Sequence, residues 1–366
     1  MLDSLHIKNF RCFEDLTIPS LGRVNLIVGK NNVGKSTLLE AVYLYAGNGH
    51  VFSMVAILDY RNDFFFNHRK NPRLAFDSLK KIFNKNEPNA ELIISSKDKN
   101  PLKITYTLDI DKLKESKDIP IYGSQSMIYP KPDKAIEGFL VENAEYFEIH
   151  PDNIQDELNK HNARQLKITT CSISPTTLLD EDILSRVWVK IQKEANEDVA
   201  IKHMKIIDSK IVNLFFADEE YDDYGSPKTK KVAYLTLDNP RQVRTLKSMG
   251  EGIARLLQFS LLAFISKGGY LLIDEFENGL HYSIQEEVWD KLFKLAKELD
   301  IQVFATTHSE DTVKAFCKVS LADEEVDGKL ISLGRSAAVA DNGKILADVY
   351  DEKTLAWIVQ SGMEVR

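Results

Sequence analysis

Residues Gly29-Lys30-Asn31-Asn32-Val33-Gly34-Lys35-Ser36 constrain this chain more than any other stretch. They follow a short apolar run, Val24-Asn25-Leu26-Ile27-Val28, and precede a segment in which Leu38, Leu39, Val42 and Tyr45 recur on one stripe. The run reads as a buried strand ending at Gly29, the stripe as an amphipathic helix from Lys35 that stops at Gly47. A strand, a G-x-x-x-x-G-K-[ST] loop and a helix in this order have a mechanical meaning. The glycines let backbone N–H groups curl around an anion, and the helix N-terminus adds a favourable dipole. The pattern predicts a phosphate-binding loop, with Lys35 on the outer phosphates and Ser36 on Mg²⁺.

The final third predicts a helix over 251–265, a strand over 270–274, a helix over 282–299, a strand over 301–306 and a helix over 310–317. That alternation is the α/β pattern, a mostly parallel sheet covered by helices. Tyr270-Leu271-Leu272-Ile273 delivers Asp274 and Glu275 at the C-terminal end of a strand, where such sheets bind ligands. Asp274 suits a direct or water-mediated role on Mg²⁺, and Glu275 is placed to polarise an attacking water. The strand Ile301–Thr306 runs into Thr307-His308-Ser309. A histidine at a strand end is more often structural than catalytic, but one helix separates these two strands, so they are expected to be neighbours. That puts His308 near the terminal phosphate. Ser248-Met249-Gly250-Glu251-Gly252 opens the 251–265 helix and by itself is a glycine-bearing cap.

Near the N-terminus, Leu5-His6-Ile7 and Leu16-Thr17-Ile18 alternate as short strands do. Residues 48–165 are less patterned. There, 91–96 and 102–109 read as antiparallel strands, and Lys80, Lys81, Lys97, Lys99 and Lys103 read as a solvated face because acids are interleaved. Helices over 181–195 and 199–210 follow. A charged loop then runs from Asp218-Glu219-Glu220 to Lys228-Thr229-Lys230-Lys231 and leads into a strand over 232–237. The expected organisation is a single domain. Its N-terminal lobe, 1–165, carries a β-rich insert over 60–165, followed by a helical insert over 180–216 and a C-terminal lobe over 217–366.

Cys12, Cys171 and Cys317 show neither disulfide nor zinc spacing and read as small buried hydrophobes. A net charge of −8 argues against a nucleic-acid-coating protein, though not against a local basic groove. The longest apolar run, 256–265, is broken by Gln258 and Ser260 and falls short of the roughly 18–20 residues of a membrane span. The opening residues lack the layout of a signal peptide, so a cytoplasmic protein without a membrane partner is expected.

The order of phosphate loop, S-x-G-E-G helix, LLIDE and a strand ending in THS resembles the ABC-type P-loop ATPases. Within them it resembles the RecF/SMC-like and OLD-like branch rather than transporter subunits. Ile7-Lys8-Asn9-Phe10-Arg11-Cys12-Phe13 is similar to the opening of that branch, and Asp274-Glu275-Phe276-Glu277-Asn278-Gly279-Leu280-His281 to its DE-x-E-x-G-L-H stretch. The likeness covers 1–47 and 165–320 well and the residues between them much less. It implies an α/β ABC-type fold with a mixed central sheet, an antiparallel β subdomain and a short helical insert. It also implies ATP and Mg²⁺ as cofactors. Gly29, Asn31, Asn32, Gly34, Lys35, Ser36 and Thr37 would surround the phosphates, with Ser36 and Asp274 on the metal. Glu275 would be the general base and His308 a sensor of the γ-phosphate, with Lys35 the third catalytic group. Ser248, Gly250 and Glu251 correspond to the signature motif, which completes the site of an opposing subunit. Asn9 and Arg11 are expected to approach the nucleotide. Arg255 reads as an interface or phosphate contact, or more plainly as an exposed helical arginine.

Two departures accompany the resemblance. The segment 168–177 stands where a Q-loop belongs and contains no glutamine, and the helical insert is too short for a chromosome-spanning coiled-coil arm. No acidic nuclease domain is expected after His308; Asp323, Glu324, Glu325 and Asp327 read as a solvated cluster, and the ending Gly362–Arg366 resembles small stand-alone bacterial ATPases. The expected activity is slow ATP hydrolysis by an ATP-dependent homodimer or higher homo-oligomer. Its setting is a switch over a separate effector, such as a nuclease in bacterial anti-phage defence, or a RecF-like ATP-gated clamp on DNA. A transporter's energy-coupling subunit fits neither the N-terminal run nor the missing glutamine.

Overall fold

The computed structural model describes residues 1–63, 72–108, 138–142, 146–149, 170–173, 181–194, 196–223, 226–238, 240–322, 325–338, 341, 343–350 and 354–357. A central sheet runs in the order β15 (Ile345–Tyr350), β14 (Gly328–Arg335), β3 (Val24–Gly29), β13 (Gln302–Thr306), β12 (Tyr270–Ile273), β8 (Thr170–Ile173). Neighbours are parallel except β14 and β15, so the sheet is mixed, as the resemblance implies. Its strands are apolar on both faces because each face meets a core. Val24, Leu26, Val28, Leu271, Ile273, Val303 and Ala305 point into one, and Ile27, Leu272, Phe304 and Ile331 into the other. Asn25 is buried among them and fully used: it accepts from the Gly22 N–H at 2.8 Å and donates to the Gly22 and Val303 carbonyls at 2.8 and 3.1 Å.

The second core is closed by α1 (Lys35–Ala46), α2 (Val51–Tyr60), α3 (Pro72–Leu79) and an antiparallel sheet. That sheet has the order β2 (Phe13–Ile18), β1 (Leu5–Phe10), β4 (Glu91–Ser95), β5 (Leu102–Thr107), β6 (Gly138–Glu142), β7 (Tyr146–Ile149). The first core is covered by α4 (Glu181–Lys193), α5 (Glu197–Ile207), α6 (Glu251–Ile265), α7 (Gln285–Glu298) and α8 (Glu310–Ala322). Phe276 and Trp289 stack at its centre with ring centroids 3.8 Å apart, and Phe259 stacks on Phe276 at 5.7 Å.

A third sheet, ordered β11 (Gln242–Thr245), β10 (Ser226–Leu237), β9 (Ile211–Asp223), corrects the sequence reading. The charged segment expected as a loop is a long hairpin. It lacks apolar alternation, and opposite charges at facing positions stand in for it. Asp218 faces Lys231 and Glu219 faces Lys230, with Lys231 Nζ 2.7 Å from Asp218 Oδ2. The helices of the insert accordingly end at Ile207, and 211–216 belong to β9.

Smaller corrections follow the same logic. The helix expected over 282–299 opens with a 3₁₀ turn, Tyr282–Ile284, and α8 continues past 317. Cys317 is buried as expected, but Cys12 is exposed at the β1–β2 turn; the side chain of Cys171 lies outside the described residues. Lys81 pairs with Asp63 at 3.5 Å on a solvated face, but Lys80, expected on the same face, is 18% exposed, pairs with Asp77 at 2.9 Å and lies over the Phe76 and Tyr106 rings. Glu325 pairs with Lys297 and Asp327 with Lys329, while Asp323 and Glu324 lie outside the described residues. So does most of the Q-loop segment, of which only β8 is described. Among the described residues, no helix is long and apolar enough to cross a membrane.

Candidate active site

β3 ends in a loop that only glycine permits. Gly29 has φ +143°, and a Cβ there would lie 2.3 Å from the Leu333 carbonyl oxygen. Gly34 caps α1 at φ +91°, where a Cβ would press on Cys12 Sγ and the Phe13 ring at 2.7 Å. No side chain caps this helix, so its first-turn N–H groups and dipole are in a position that suits an anion. Lys35 Nζ donates to the carbonyls of Gly29 and Lys30 at 2.8 and 3.0 Å. Burial lowers its pKa, and the charges of Asp274, Glu275 and Glu277 oppose that shift, so three carboxylates converge on this ammonium. Ser36 is half-buried and Thr37 buried behind the loop, while Asn31 and Asn32 are exposed at its tip. Arg335, from β14, donates to the Asn32 carbonyl at 3.1 Å, a brace with no sequence signal.

β12 and β13 are parallel neighbours with Ile273 opposite Ala305, so Asp274 and Thr306 emerge side by side. The Thr306 hydroxyl donates to Asp274 Oδ1 and accepts the Glu275 N–H at 2.9 Å. Glu275 lies in the left-handed region at φ +49°, a conformation that costs roughly 1–3 kcal/mol and persists only where its surroundings impose it. Here they do. Asn278 Nδ2 donates to Glu275 Oε2 at 2.7 Å, and the Phe276 N–H donates to the Thr306 carbonyl at 2.9 Å.

His308 is exposed just past β13, and its backbone N–H donates to Glu277 Oε1 at 2.7 Å. The other oxygen of Glu277 accepts the Thr307 hydroxyl at 2.7 Å. Strand order thus gathers Lys35, Ser36, Asp274, Glu275 and His308 beyond the C-terminal ends of three parallel neighbours, β3, β13 and β12. The donors suit Mg²⁺: Ser36 and Asp274 offer hard oxygens, and among the described residues no group of three His, Cys, Asp or Glu side chains makes a metal cage. Mg²⁺ needs no such cage, because it keeps waters and takes phosphate oxygens.

Asn9 and Arg11 are both engaged by residues of their own chain. Asn9 is turned to the β4 side, donating to the Lys85 and Glu91 carbonyls at 3.1 and 3.2 Å and accepting the Lys85 N–H at 2.7 Å. Arg11 is paired with Glu40 at 3.0 Å, and Arg61 holds the other oxygen of Glu40 at 2.6 Å. Glu40 stands one turn after Ser36 on α1. Burial raises its pKa against the pull of both arginines, and the charge of Asp274 acts on it and on Arg61. This cluster therefore lies within electrostatic reach of Asp274.

Ser248 is exposed, and its hydroxyl donates to the Thr245 carbonyl at 2.7 Å. Gly250, at φ +93°, borders open space: a Cβ there meets nothing within 4 Å. Glu251 opens α6, its side chain outside the described residues. Gly252 packs by the Gly279 carbonyl and the Ile284 side chain, so the signature residues adjoin the acidic loop of their own chain. Arg255 is 2% exposed, against the plainer expectation, and lies over the Phe259 ring at 5.4 Å.

The family model described as "AAA domain, putative AbiEii toxin, Type IV TA system" matches residues 24–313, which span the phosphate loop, the signature residues, both acids and His308. An ATP/GTP phosphatase of Helicobacter pylori is 25% identical over 350 residues, 87% of this chain and 88% of that protein. Two further likenesses are local. An OLD nuclease of Thermus scotoductus is 50% identical over 48 residues, 13% of this chain and 9% of that protein. The DNA replication and repair protein RecF of Ligilactobacillus salivarius is 42% identical over 45 residues, 12% of each chain.

Proposed function

The chain belongs to this AAA-domain family of P-loop ATPases, and on that premise we propose that it is an ATP-driven switch which closes as a homodimer around Mg²⁺·ATP and controls a separate effector. The observation that carries the reading is the strand order β3-β13-β12, parallel neighbours whose C-terminal ends bring the loop lysine, both acids and His308 together. Lys35 would exchange the neutral carbonyls of Gly29 and Lys30 for phosphate oxygens, a stronger charge-assisted bond. Ser36 and Asp274 would hold Mg²⁺, which neutralises charge on the β- and γ-oxygens. Glu275, set by Thr306 and Asn278, would orient the attacking water.

Ser248 and Gly250 border solvent, and a second protomer's nucleotide is the partner that we assign to them. The stack Phe259–Phe276 links that helix to the residue after Glu275, so movement of one is felt at the other. A γ-phosphate that contacts both protomers biases closure, and its loss removes the bias. A bacterial defence setting with an effector is supported by the family's description and by the local likeness to an OLD nuclease. A second reading, an ATP-gated clamp on DNA, is supported by the local likeness to RecF.

The test is ATP turnover with light-scattering mass, for wild type and Glu275→Gln, with and without duplex DNA. Removing a general base costs about 10²–10⁴-fold in rate, so Glu275→Gln is expected to lose turnover and accumulate as an ATP-dependent dimer. Wild-type turnover in that variant, or a monomer in ATP, overturns the switch. DNA stimulation of the wild type selects the clamp.

A further inference from the structure

We propose that Glu277 is a positioning residue that latches the His308 loop to the acidic loop and so sets the γ-phosphate sensor. This rests on the ATPase reading above but assigns a role to a residue outside it. Glu277 lies two residues past Glu275, and its carboxylate crosses to the end of β13, where one oxygen takes the Thr307 hydroxyl and the other the His308 N–H, both at 2.7 Å.

The direction of these bonds is fixed. Thr307 Oγ1 accepts the Ser309 N–H at 3.0 Å, so its own proton is directed to Glu277. Among the described residues Glu277 therefore meets two donors and no acceptor, which suits an ionised carboxylate and makes both bonds charge-assisted. The arrangement argues against two other roles. A carboxylate with both oxygens engaged by donors is poorly placed to take a proton from water, and a metal would compete with those same donors.

Two rungs thus join β12 to β13. Thr306 ties Asp274 and Glu275, which serve metal and water; Thr307 and His308 tie Glu277, which serves the sensor. Thr306 and Thr307 are both buried while His308 is exposed, so the first rung is largely shielded and the second is open to solvent at its His308 end. The nucleotide would be held by the glycine loop, α1 and Lys35; among the described residues none of these hydrogen-bonds the second rung, although the charge of Glu277 acts on Lys35. Cutting that rung should slow the chemical step and leave nucleotide binding intact.

The experiment compares Glu277→Ala, Glu277→Gln and Thr307→Val, alone and combined with His308→Ala. It reads kcat, KM for ATP, ADP affinity by calorimetry, and amide hydrogen exchange of the peptide covering 307–309. A displaced catalytic group costs up to about 100-fold, so Glu277→Ala is expected to lower kcat by about 10- to 100-fold. KM and ADP affinity should stay within about twofold, as for a loss confined to the transition state. Exchange at 307–309 should speed up. Glu277→Gln, which keeps one acceptor oxygen, should fall between. In the His308→Ala background Glu277→Ala should have little further effect on rate, because coupled residues are not additive. Full additivity with His308→Ala, or equal losses in kcat and ADP affinity, overturns the proposal. If Glu275→Gln abolishes turnover while Glu277→Ala leaves rate and exchange at wild-type level, this inference alone fails. If Glu275→Gln leaves turnover intact, the ATPase assignment of the acids fails instead.

Discussion

Lys35 shows how one side chain carries opposing demands. In the proposed role it meets phosphate from below and so is buried; burial lowers its pKa, while Asp274, Glu275 and Glu277 work against that shift. A lowered pKa means that the ammonium loses its proton below the usual lysine value. Nucleotide affinity is therefore expected to be level near neutral pH and to fall as pH rises through that depressed pKa. Calorimetric ADP titrations across about pH 7–10 check this, since an unperturbed lysine would hold its charge to about 10.4. Stability runs the other way in the same window. There the unfolded chain binds more protons than the folded one, so this residue's contribution to stability rises with pH.

The P-loop glycines and Lys35 were legible in the sequence because glycine at Gly29 and Gly34 answers a local backbone requirement. Glu277, Thr306 and Asn278 were not assigned roles, because a carboxylate, a hydroxyl and an amide are common at loop ends. The one available cue was that the acidic loop carries a third acid facing a Thr-Thr-His strand end.

At the scale of elements, α1 is tied to its neighbours by charge as well as by packing. Glu40 holds Arg11, from the β1–β2 turn, and Arg61, from the end of α2. Glu40→Gln would leave two guanidinium groups without their shared anion. Breaking a buried pair costs about 3–5 kcal/mol, but Arg61 is 37% exposed, Arg11 also faces Asp63 at 3.5 Å and burial already raises the pKa of Glu40, so the loss should fall well below that range. Urea unfolding of the variant measures it; an unchanged midpoint would show that solvent already screens the cluster. The strands and helices expected between 251 and 317 were readable from apolar periodicity, although α8 runs on to Ala322; β14 and β15, which extend the central sheet, were not predicted. Nor was the β9–β10 hairpin. Its outer half is ordered by facing charges, a pairing that becomes visible only once the register is known.

At the scale of the whole molecule, the two halves of the proposed dimer site lie on different parts of one chain. Ser248→Arg would block the solvent-facing signature without disturbing the core, and Lys35→Ala would disable the phosphate loop. Each variant alone is expected to lack turnover. Mixed together they form a heterodimer with one complete site, so partial recovery of turnover is expected in the mixture; none would mean that each protomer works alone. The sequence by itself determined the α/β class, the phosphate loop, the two acids and the histidine. These follow from glycine requirements and apolar periodicity, which act over a few neighbouring residues. Only the tertiary structure decided that Thr306 meets Asp274, that Glu277 meets His308, that Arg11 turns to Glu40, and that Arg255 is buried. Those contacts join residues far apart in the chain. They depend on strand order and register, which the packing of two cores against one sheet settles and no local pattern encodes.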